Sequence, residues 1–329
     1  MKKTLIYGGG TIGSFLAMCL KKKDRKIFFL CRGSNYNKIK KDGLRVDLYH
    51  NTKFKKKFLI KQNRNFKVIN NIKMVNTLKF DEVFITITIN QNLDKIFSKL
   101  QKIIKKNAVV ITPCTNIPFW WYLCLPLKYW NKFEKKIKSS CLRLIKNKNI
   151  AGMTMWLSGT KKEPGYFVIK HVQRGFPIKE VFCDKKNQIT CIRDDIKKNT
   201  KSPYVKNIFS EIFIKSINSL AFNMVALKYR QNNYDLSKNV KAKKNLIKIL
   251  SEGDKILNKY NIKITQTPLQ RIDQTLSSRK HTMSMLSAYN EGRKIEIKPL
   301  WRSFYNLTKI INYKMRYTEN FYYKLIKKI

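Results

Sequence analysis

A glycine-rich stretch at residues 5–17, LIYGGGTIGSFLA, is the feature that most constrains the fold of this 329-residue chain. Four of the chain's 12 glycines lie at positions 8, 9, 10 and 13. The preceding TLIY is a short apolar run with β propensity, and from Thr11 onward apolar residues recur at helical spacing. The sequence therefore predicts a strand, a glycine turn and a helix in immediate succession.

This succession favours a dinucleotide site. In the pattern G-x-G-x-x-G, Gly8 would allow the tight turn, Gly10 would let the backbone approach a pyrophosphate, and Gly13 would let the helix pack close to the strand. Free N–H groups at the helix start, at Thr11 and Ile12, would hold the phosphate oxygens. A glycine turn that binds nothing is the alternative, and the flanking strand and helix favour binding.

The end of the second predicted strand, KIFFLCRG, indicates which dinucleotide. A site for NAD usually has Asp or Glu there to hold the ribose 2′-hydroxyl. This chain has Cys31 and Arg32 instead. A guanidinium suits the 2′-phosphate of NADP, so we predict NADPH as the cofactor. The alternative is a surface arginine with no role.

Strands and helices then alternate. EVFITIT (82–88) and AVVIT (108–112) are predicted as buried strands, and a helix is predicted between them. Its apolar face is Leu93, Ile96, Phe97, Leu100, Ile103 and Ile104, and its lysine face is Lys95, Lys99, Lys102 and Lys106. EPGYFVIKH predicts a turn at Pro164 and Gly165 into a further strand, and from about residue 204 to the end long helical patterns dominate. We therefore predict an α/β protein, with a Rossmann-type doubly wound sheet in residues 1–203 and an all-helical domain in residues 204–329.

The charge is extreme, with a formal net charge of +50. Such a value suggests nucleic acid or an anionic surface as a partner. However, 57 of the 70 basic residues are Lys and 13 are Arg, and the lysines are spread along the whole chain. This distribution favours compositional drift over an electrostatic function, and nucleic acid is not expected as a partner.

Cysteine usage and apolar runs indicate the compartment. The seven cysteines form no C-x-x-C pair, and we expect them to be reduced, with no metal site. The start MKKTLIYGGG lacks the apolar length of a signal peptide. No later run reaches the roughly 18 apolar residues of a membrane span. A cytoplasmic protein is expected.

One lysine in the second half of the chain differs from the others because it lies in a mostly apolar stretch. Residues 207–227, NIFSEIFIKSINSLAFNMVAL, contain a single lysine, Lys215. Ser219 and Asn223 follow it at +4 and +8, on one stripe of an apolar helix. A lysine in apolar surroundings loses proton affinity and can act as a general acid near neutral pH. A snorkelling lysine at the domain edge is the alternative. A second polar segment, HTMSMLSAYNEGRKIEI (281–297), contains Ser284 and Glu296, and is on its own more typical of a loop.

Several segments follow one another in order along the chain: the glycine turn, the arginine after the second strand, TNIPFWWY, EPGYFVIKH, EIFIKSINSLAFN, and SML followed by a glutamate. Together they resemble the ketopantoate reductase (2-dehydropantoate 2-reductase) family. The resemblance spans nearly the whole chain. It implies a Rossmann domain and a helical domain with NADPH and the substrate in the cleft between them. It also implies reduction of ketopantoate to pantoate, for pantothenate and coenzyme A synthesis.

The resemblance also implies residue roles. Lys215 would protonate the ketone oxygen as hydride arrives, with Glu296 as the second catalytic residue. Asn116, after the fifth strand, would lie near the nicotinamide. The implied substrate contacts are Ser219, Asn223, Asn233 and Ser284.

The chain departs from the family pattern at several positions. The family has an asparagine where this chain has Ser219 (with Asn218 beside it), and a tryptophan where it has Phe213. The family's QNG is TNI at 115–117. Its glycine is replaced by Arg302, and its basic residue by Thr88. These changes leave open a reductase of another 2-oxo acid, or a non-catalytic NADP-binding protein whose basic surface holds an acidic partner or nucleic acid. A homodimer is also compatible with the sequence.

Overall fold

The structure, a computed structural model, describes residues 1–50, 53–87, 93–276 and 281–329. The chain divides into two compact units. The first comprises Met1–Cys114 and Ile137–Ile208, and the second comprises Thr115–Lys136 and Phe209–Ile329. The sequence analysis placed a single division between residues 203 and 204, whereas the structure groups residues 115–136 with the helical unit.

The first unit is built on a seven-stranded sheet, in the order β11-β8-β7-β6-β1-β2-β5. The strands, in chain order, are β1 Lys2–Tyr7, β2 Arg25–Leu30, β3 Leu44–His50, β4 Lys53–Ile60, β5 Phe66–Ile69, β6 Phe80–Ile85, β7 Ile104–Cys114, β8 Ile150–Thr154, β9 Trp156–Glu163, β10 Tyr166–Gly175 and β11 Ile178–Glu180. All neighbours in this sheet are parallel except β11, which is antiparallel to β8. The predicted Rossmann-type sheet is confirmed.

The direction of strand progression reverses at β1. The chain passes from β1 to β2 and β5 on one side, and then returns to β6, β7 and β8 on the other. Tyr7, the last residue of β1, is in register with Leu30 of β2 and Ile85 of β6. The turn after β1 therefore opens at the carboxyl ends of these strands, where ligands of open α/β sheets bind.

The helices, in chain order, are α1 Thr11–Leu20, α2 Gly33–Asp42, α3 Leu93–Leu100, α4 Leu127–Glu134, α5 Ser139–Lys146, α6 Lys186–Lys197, α7 Ile208–Tyr229, α8 Asn233–Lys238, α9 Val240–Lys259, α10 Pro268–Leu276, α11 Ser284–Asn290, α12 Ile297–Ile311 and α13 Arg316–Ile326. Among the described residues, no helix has the length and apolar character needed to span a bilayer.

A second sheet, in the order β4-β3-β10-β9, covers the other side of α1. Every residue of α1 from Gly13 to Leu20 is buried, because the helix contacts strands of both sheets. Apart from Ser14, its sequence SFLAMCL is accordingly apolar on all sides. Phe15 of α1 packs against Phe176, with ring centroids 5.3 Å apart. Two layers of strands therefore fix the helix that begins at the glycine turn.

The sequence analysis did not predict the second sheet as a separate layer. It did predict the turn at Pro164 and Gly165 into a strand, and the structure confirms this turn: Gly165 has a φ of +76° and joins antiparallel β9 and β10. The edge strand β4, KFKKKFLI, exposes all four of its lysines. Because both its faces carry charge, it lacks the alternation of apolar and polar residues that indicates a strand.

The helix predicted across residues 93–104 is shorter in the structure. Helix α3 ends at Leu100, and β7 already begins at Ile104. The inclusion of Ile103 and Ile104 in the helix was wrong, because parallel pairing with β6 draws this segment into the sheet: the Phe80 N–H donates to the Ile103 carbonyl at 2.7 Å, and Phe80 is in register with Ile104. Strand β6 ends at Ile85 within the predicted 82–88, and residue 88 lies outside the described residues.

The second unit is helical. Beyond β11, the described residues form no further strand, which confirms the predicted helical C-terminal region. Trp120 and Trp121 are both fully buried. Trp120 lies against Phe209 with ring centroids 5.6 Å apart, and Trp121 lies against Phe213 at 5.3 Å. The segment 115–136 thus supplies aromatic core to the unit that contains α7.

Candidate functional site

In the glycine turn, Gly8 and Gly13 lie so close to neighbouring backbone that neither has room for a side chain. Gly8 has a φ of +132°, and a Cβ built there would lie 2.6 Å from the carbonyl oxygen of Thr86. A Cβ on Gly13 would lie 1.9 Å from the carbonyl oxygen of Gly8. The Thr86 hydroxyl donates to that same Gly8 oxygen at 2.8 Å. Gly8 and Gly13 are therefore required by the packing of the turn itself.

Gly10 differs from these two glycines. A Cβ built there would meet no atom within 4 Å, and the residue is exposed. It is the N-cap of α1, and no side chain caps the helix. The first-turn N–H groups of Thr11 and Ile12 face outward from a helix end that attracts anions. The open space at Gly10 is the space that a pyrophosphate bound by these N–H groups needs.

A cavity of about 380 Å³ lies at the glycine turn. Its lining residues are Tyr7, Gly8, Gly9, Gly10, Leu30, Cys31, Arg32, Asn35, Ile87, Lys95, Ile96 and Lys99. Arg32 is the exposed N-cap residue of α2. Three of the described lining residues are cations and none is acidic. The cavity therefore favours an anionic ligand.

Asn35 holds the turn from the side of α2. Its side-chain N–H donates to the carbonyl of Gly9 at 3.3 Å, and its oxygen accepts from the N–H of Gly165 at 3.2 Å. The sequence analysis missed this residue, because an asparagine in a lysine-rich helix shows no distinguishing pattern. It placed Lys95 and Lys99 on the lysine face of the predicted helix and gave them no role, and the structure places both in the lining of the cavity.

In the second unit, α7 carries the predicted polar stripe. Lys215 and Ser219 are partly exposed, and Asn223 is buried. Burial lowers the pKa of the Lys215 amine to about 8, and the carboxylate of Glu211, one turn earlier, raises it in part. An amine with this pKa is largely protonated at neutral pH and can lose its proton readily.

Asn223 links α7 to α11. Its side-chain N–H donates to the Ser219 carbonyl at 2.7 Å, and its oxygen accepts from the Met285 N–H at 3.0 Å. The Ser284 hydroxyl lies 3.5 Å from the same Asn223 oxygen. Asn223 thus acts as an N-terminal cap for α11, and the structure brings together Ser219, Asn223 and Ser284, three of the residues predicted as substrate contacts.

Asn233 lies in a different setting, at the start of α8. It is buried, its side-chain N–H donates to the Thr275 carbonyl at 2.9 Å, and its backbone N–H donates to the His281 carbonyl at 2.9 Å. Its side-chain oxygen is buried with no hydrogen-bond partner among the described residues. Asn233 therefore forms hydrogen bonds to residues on both sides of 277–280, one before this segment and one after it.

Glu296 is the N-cap residue of α12 and is partly buried. Desolvation raises the pKa of its carboxyl group. Asn116 belongs to the helical unit, and the next residue, Ile117, donates its N–H to the Ser303 hydroxyl of α12 at 3.5 Å. Asn116 therefore belongs to the same unit as α12.

Two of the departures from the family pattern have structural consequences. Asn218 is buried, and its oxygen accepts from Arg271 at 3.2 Å. Arg271 in turn forms a buried ion pair with Asp254. Asn218 is thus engaged in the core, beside Ser219 but on another face of α7. Phe213 packs edge-on against Phe304, with centroids 5.6 Å apart. Thr88 lies outside the described residues.

The described residues contain no group of three or more His, Cys, Asp or Glu that could hold a metal ion. A parallel sheet with a glycine turn at its strand-order reversal defines the class of Rossmann-type folds. Residues 4–114 match the family model described as Ketopantoate reductase PanE/ApbA. The match over residues 4–114 confirms the resemblance to this family found in the sequence.

Solved structures with similar folds cover almost the whole chain. 2-Dehydropantoate 2-reductase from Geobacter metallireducens GS-15 is 15% identical, with a TM-score of 0.77 over 99% of this chain and 100% of that one. The enzyme of the same name from Methylococcus capsulatus is 14% identical, with a TM-score of 0.76 over 99% and 96%. A D-mandelate dehydrogenase in ternary complex with NADH and anilino(oxo)acetate is 17% identical, with a TM-score of 0.76 over 99% and 97%. No curated protein matches the chain. At these identities the likeness is one of fold.

Proposed function

We propose that this protein is a cytoplasmic NADPH-dependent reductase of a 2-oxo acid, with 2-dehydropantoate (ketopantoate) as the substrate and pantoate as the product. The observation that carries the proposal is the Lys215 amine, whose pKa of about 8 suits a proton donor. It lies on a helix that also presents Ser219 and Asn223. Such a reductase would serve pantothenate and coenzyme A synthesis.

The described residues of the cavity fit a dinucleotide. Gly10 offers open backbone beside the N-terminus of α1, and Arg32 adds a guanidinium to a lining without carboxylates. When bound, NADPH would supply the hydride for the substrate carbonyl carbon. The backbone N–H groups of Thr11 and Ile12 would hold its pyrophosphate.

Lys215 would donate the proton that the carbonyl oxygen needs. As the C=O bond becomes a C–O single bond, negative charge develops on the oxygen, and the Lys215 ammonium neutralises it by transferring its Nζ proton. The product is the 2-hydroxy acid, and the amine is left neutral. Desolvation of Lys215 makes this transfer easier by weakening the hold of the nitrogen on its proton.

The polar groups around Lys215 would place the substrate. Ser219 and Ser284 have hydroxyl groups that can donate to a carboxylate, and Asn223 holds Ser284 at the start of α11. Glu296 would orient the substrate or the lysine. Asn233 would support the same region through its hydrogen bonds to Thr275 and His281.

Another 2-oxo acid is the second candidate substrate. Ser219 replaces the asparagine of the family pattern, and one of the similar folds is a D-mandelate dehydrogenase. A smaller side chain at position 219 enlarges the space beside Lys215 and would admit a bulkier substrate. A non-catalytic NADP-binding protein is the candidate from a different class.

Steady-state oxidation of NADPH with a panel of 2-oxo acids tests the proposal. The panel would contain ketopantoate, pyruvate, 2-oxoisovalerate and benzoylformate at equal concentrations. Ketopantoate should give the highest kcat/KM. A higher kcat/KM with benzoylformate would transfer the proposal to the second candidate. Tight NADPH binding with no turnover of any panel member would contradict both and favour the non-catalytic protein.

A further inference from the structure

Two lysines of α3 line the same cavity as the glycine turn. Lys95 and Lys99 are four residues apart, so they share one face of this helix, and both are exposed. Ile96, between them in sequence, also lines the cavity and is 8% exposed. Helix α3 follows β6, whereas Arg32 follows β2, on the opposite side of β1. The cavity is thus bordered by cations on both sides of the central strand.

The lining combines an apolar wall with a basic rim. Leu30, Ile87 and Ile96 provide apolar surface that suits the flat face of an adenine ring. The pyrophosphate is already provided for by the backbone N–H groups at the start of α1. Three cations beyond that helix end therefore exceed what a pyrophosphate requires, and they match a ligand with a further phosphate near its adenine end.

We infer that Lys95 and Lys99 act together with Arg32 as specificity-determining residues that recognise the 2′-phosphate of NADPH from two sides. This inference rests on the proposed NADPH-dependent function. The cofactor 2′-phosphate carries up to two negative charges, so a guanidinium and two ammonium groups can share its oxygens. NADH has a hydroxyl there and gains little from the two lysines.

The test is equilibrium binding of NADPH and NADH, measured by titration calorimetry, to the full-length wild type and to three variants. The double variant Lys95→Ala/Lys99→Ala removes both ammonium groups of α3. Arg32→Ala removes the guanidinium. Lys102→Ala is the matched control, because Lys102 is an exposed lysine just after α3 that does not line the cavity. Circular dichroism before each titration confirms that the variant is folded.

The double variant should weaken NADPH binding about tenfold, the combined effect of two exposed charge contacts, and change NADH binding by less than about threefold. The control should leave both affinities unchanged. The compound 2′,5′-ADP, which has the 2′-phosphate but no nicotinamide, should show the same loss as NADPH. The loss should shrink in 0.5 M salt, about the concentration at which exposed charges are screened.

Several results would overturn the inference. An equal loss for NADPH and NADH would mean that the lysines contact the shared pyrophosphate or support the fold. An equal loss in Lys102→Ala would mean that only the general positive field matters. If Arg32→Ala loses NADPH selectively and the double variant does not, then Arg32 alone reads the phosphate. In each of these cases the wild type still binds NADPH, whereas wild type that binds neither nucleotide would contradict the proposed function itself.

Discussion

At the scale of single residues, the charge state of Lys215 is set by two opposing effects. Desolvation favours the neutral amine, and the nearby Glu211 carboxylate favours the ammonium. The result, a pKa of about 8, places the titration of the proton donor just above neutral pH. The charge on this residue, not only its position, is therefore expected to govern turnover.

We predict that kcat for reduction falls as the pH rises through about 8, because the donor is then deprotonated in the folded enzyme. Lys215→Ala should lower kcat by about 10² to 10⁴, the usual contribution of a positioned acid, and leave NADPH affinity nearly intact. The measurement is a pH–rate profile together with NADPH titration. A wild-type rate that stays constant from pH 7 to about 9.5, well past the Lys215 pKa of about 8, would exclude Lys215 as the donor.

Glu211→Gln provides an independent check on the same profile. Glu211 raises the pKa of Lys215, so its neutralisation should move the fall in rate to lower pH. Glu163→Gln, which removes an exposed carboxylate of the other unit, should leave the profile unchanged. A shift in the opposite direction would mean that another group titrates.

Sequence alone predicted Lys215 as a candidate proton donor, because a single lysine in an apolar stretch of a lysine-rich chain is conspicuous. The same abundance concealed Lys95 and Lys99, since helical spacing can divide a helix into faces but cannot show which charged face borders a cavity. Asn223 was expected to contact the substrate, and the structure adds its hydrogen bond to the Met285 N–H. Such a tertiary cap joins residues that are far apart in sequence, so spacing does not reveal it.

At the scale of elements, the strand, glycine turn and helix at the N-terminus divide their glycines between two tasks. Gly8 and Gly13 make room for neighbouring backbone, whereas Gly10 leaves space empty. The sequence pattern predicted all three positions, because each role belongs to the local motif. The sequence did not reveal that the second sheet covers α1, because the hairpins β3–β4 and β9–β10 are joined through β3 and β10, which are far apart in the chain.

Substitutions at the two kinds of glycine should have opposite consequences. Gly10→Val should keep the thermal stability of the protein and abolish NADPH binding, since its side chain would occupy the open space beside the helix start. Gly13→Ala should lower the free energy of unfolding by about 1–3 kcal/mol, because its Cβ would overlap the Gly8 carbonyl.

Differential scanning calorimetry and NADPH titration of both variants, with Gly292→Ala as a control in the other unit, check this contrast. Gly292 also meets no atom at a built Cβ, but its φ is +65°, so its substitution should cost some stability without affecting the nucleotide. NADPH binding by Gly10→Val at wild-type affinity would show that the turn holds no pyrophosphate.

At the scale of the whole molecule, the two compact units do not follow the order of the chain. Residues 115–136 come between two parts of the first unit but place Trp120 and Trp121 in the core of the second. The change near residue 204, from alternating strands and helices to long helical patterns, predicted where helices become the dominant structure. It could not reveal the earlier segment, because membership of a core depends on contacts that a linear pattern does not encode.

Trp121→Ala should therefore destabilise the helical unit, although position 121 comes before most of that unit in sequence. The side chain is fully buried, contacts Phe213 and donates to the Phe209 carbonyl at 2.7 Å. The expected cost is about 3–5 kcal/mol. Hydrogen–deuterium exchange of the full-length protein should show lost protection in α7, with β1 and β6 unchanged. Lost protection in the two strands with α7 unaffected would contradict the assignment of residues 115–136.

The crowded backbone of the glycine turn also has a kinetic consequence. Its shape is held by the protein's own atoms, through the Thr86 hydroxyl on Gly8 and the Asn35 amide on Gly9. A loop that is already ordered loses little conformational entropy on binding and does not have to rearrange first. Association of the nucleotide with this turn is thus expected to proceed in a single phase, at a rate proportional to nucleotide concentration.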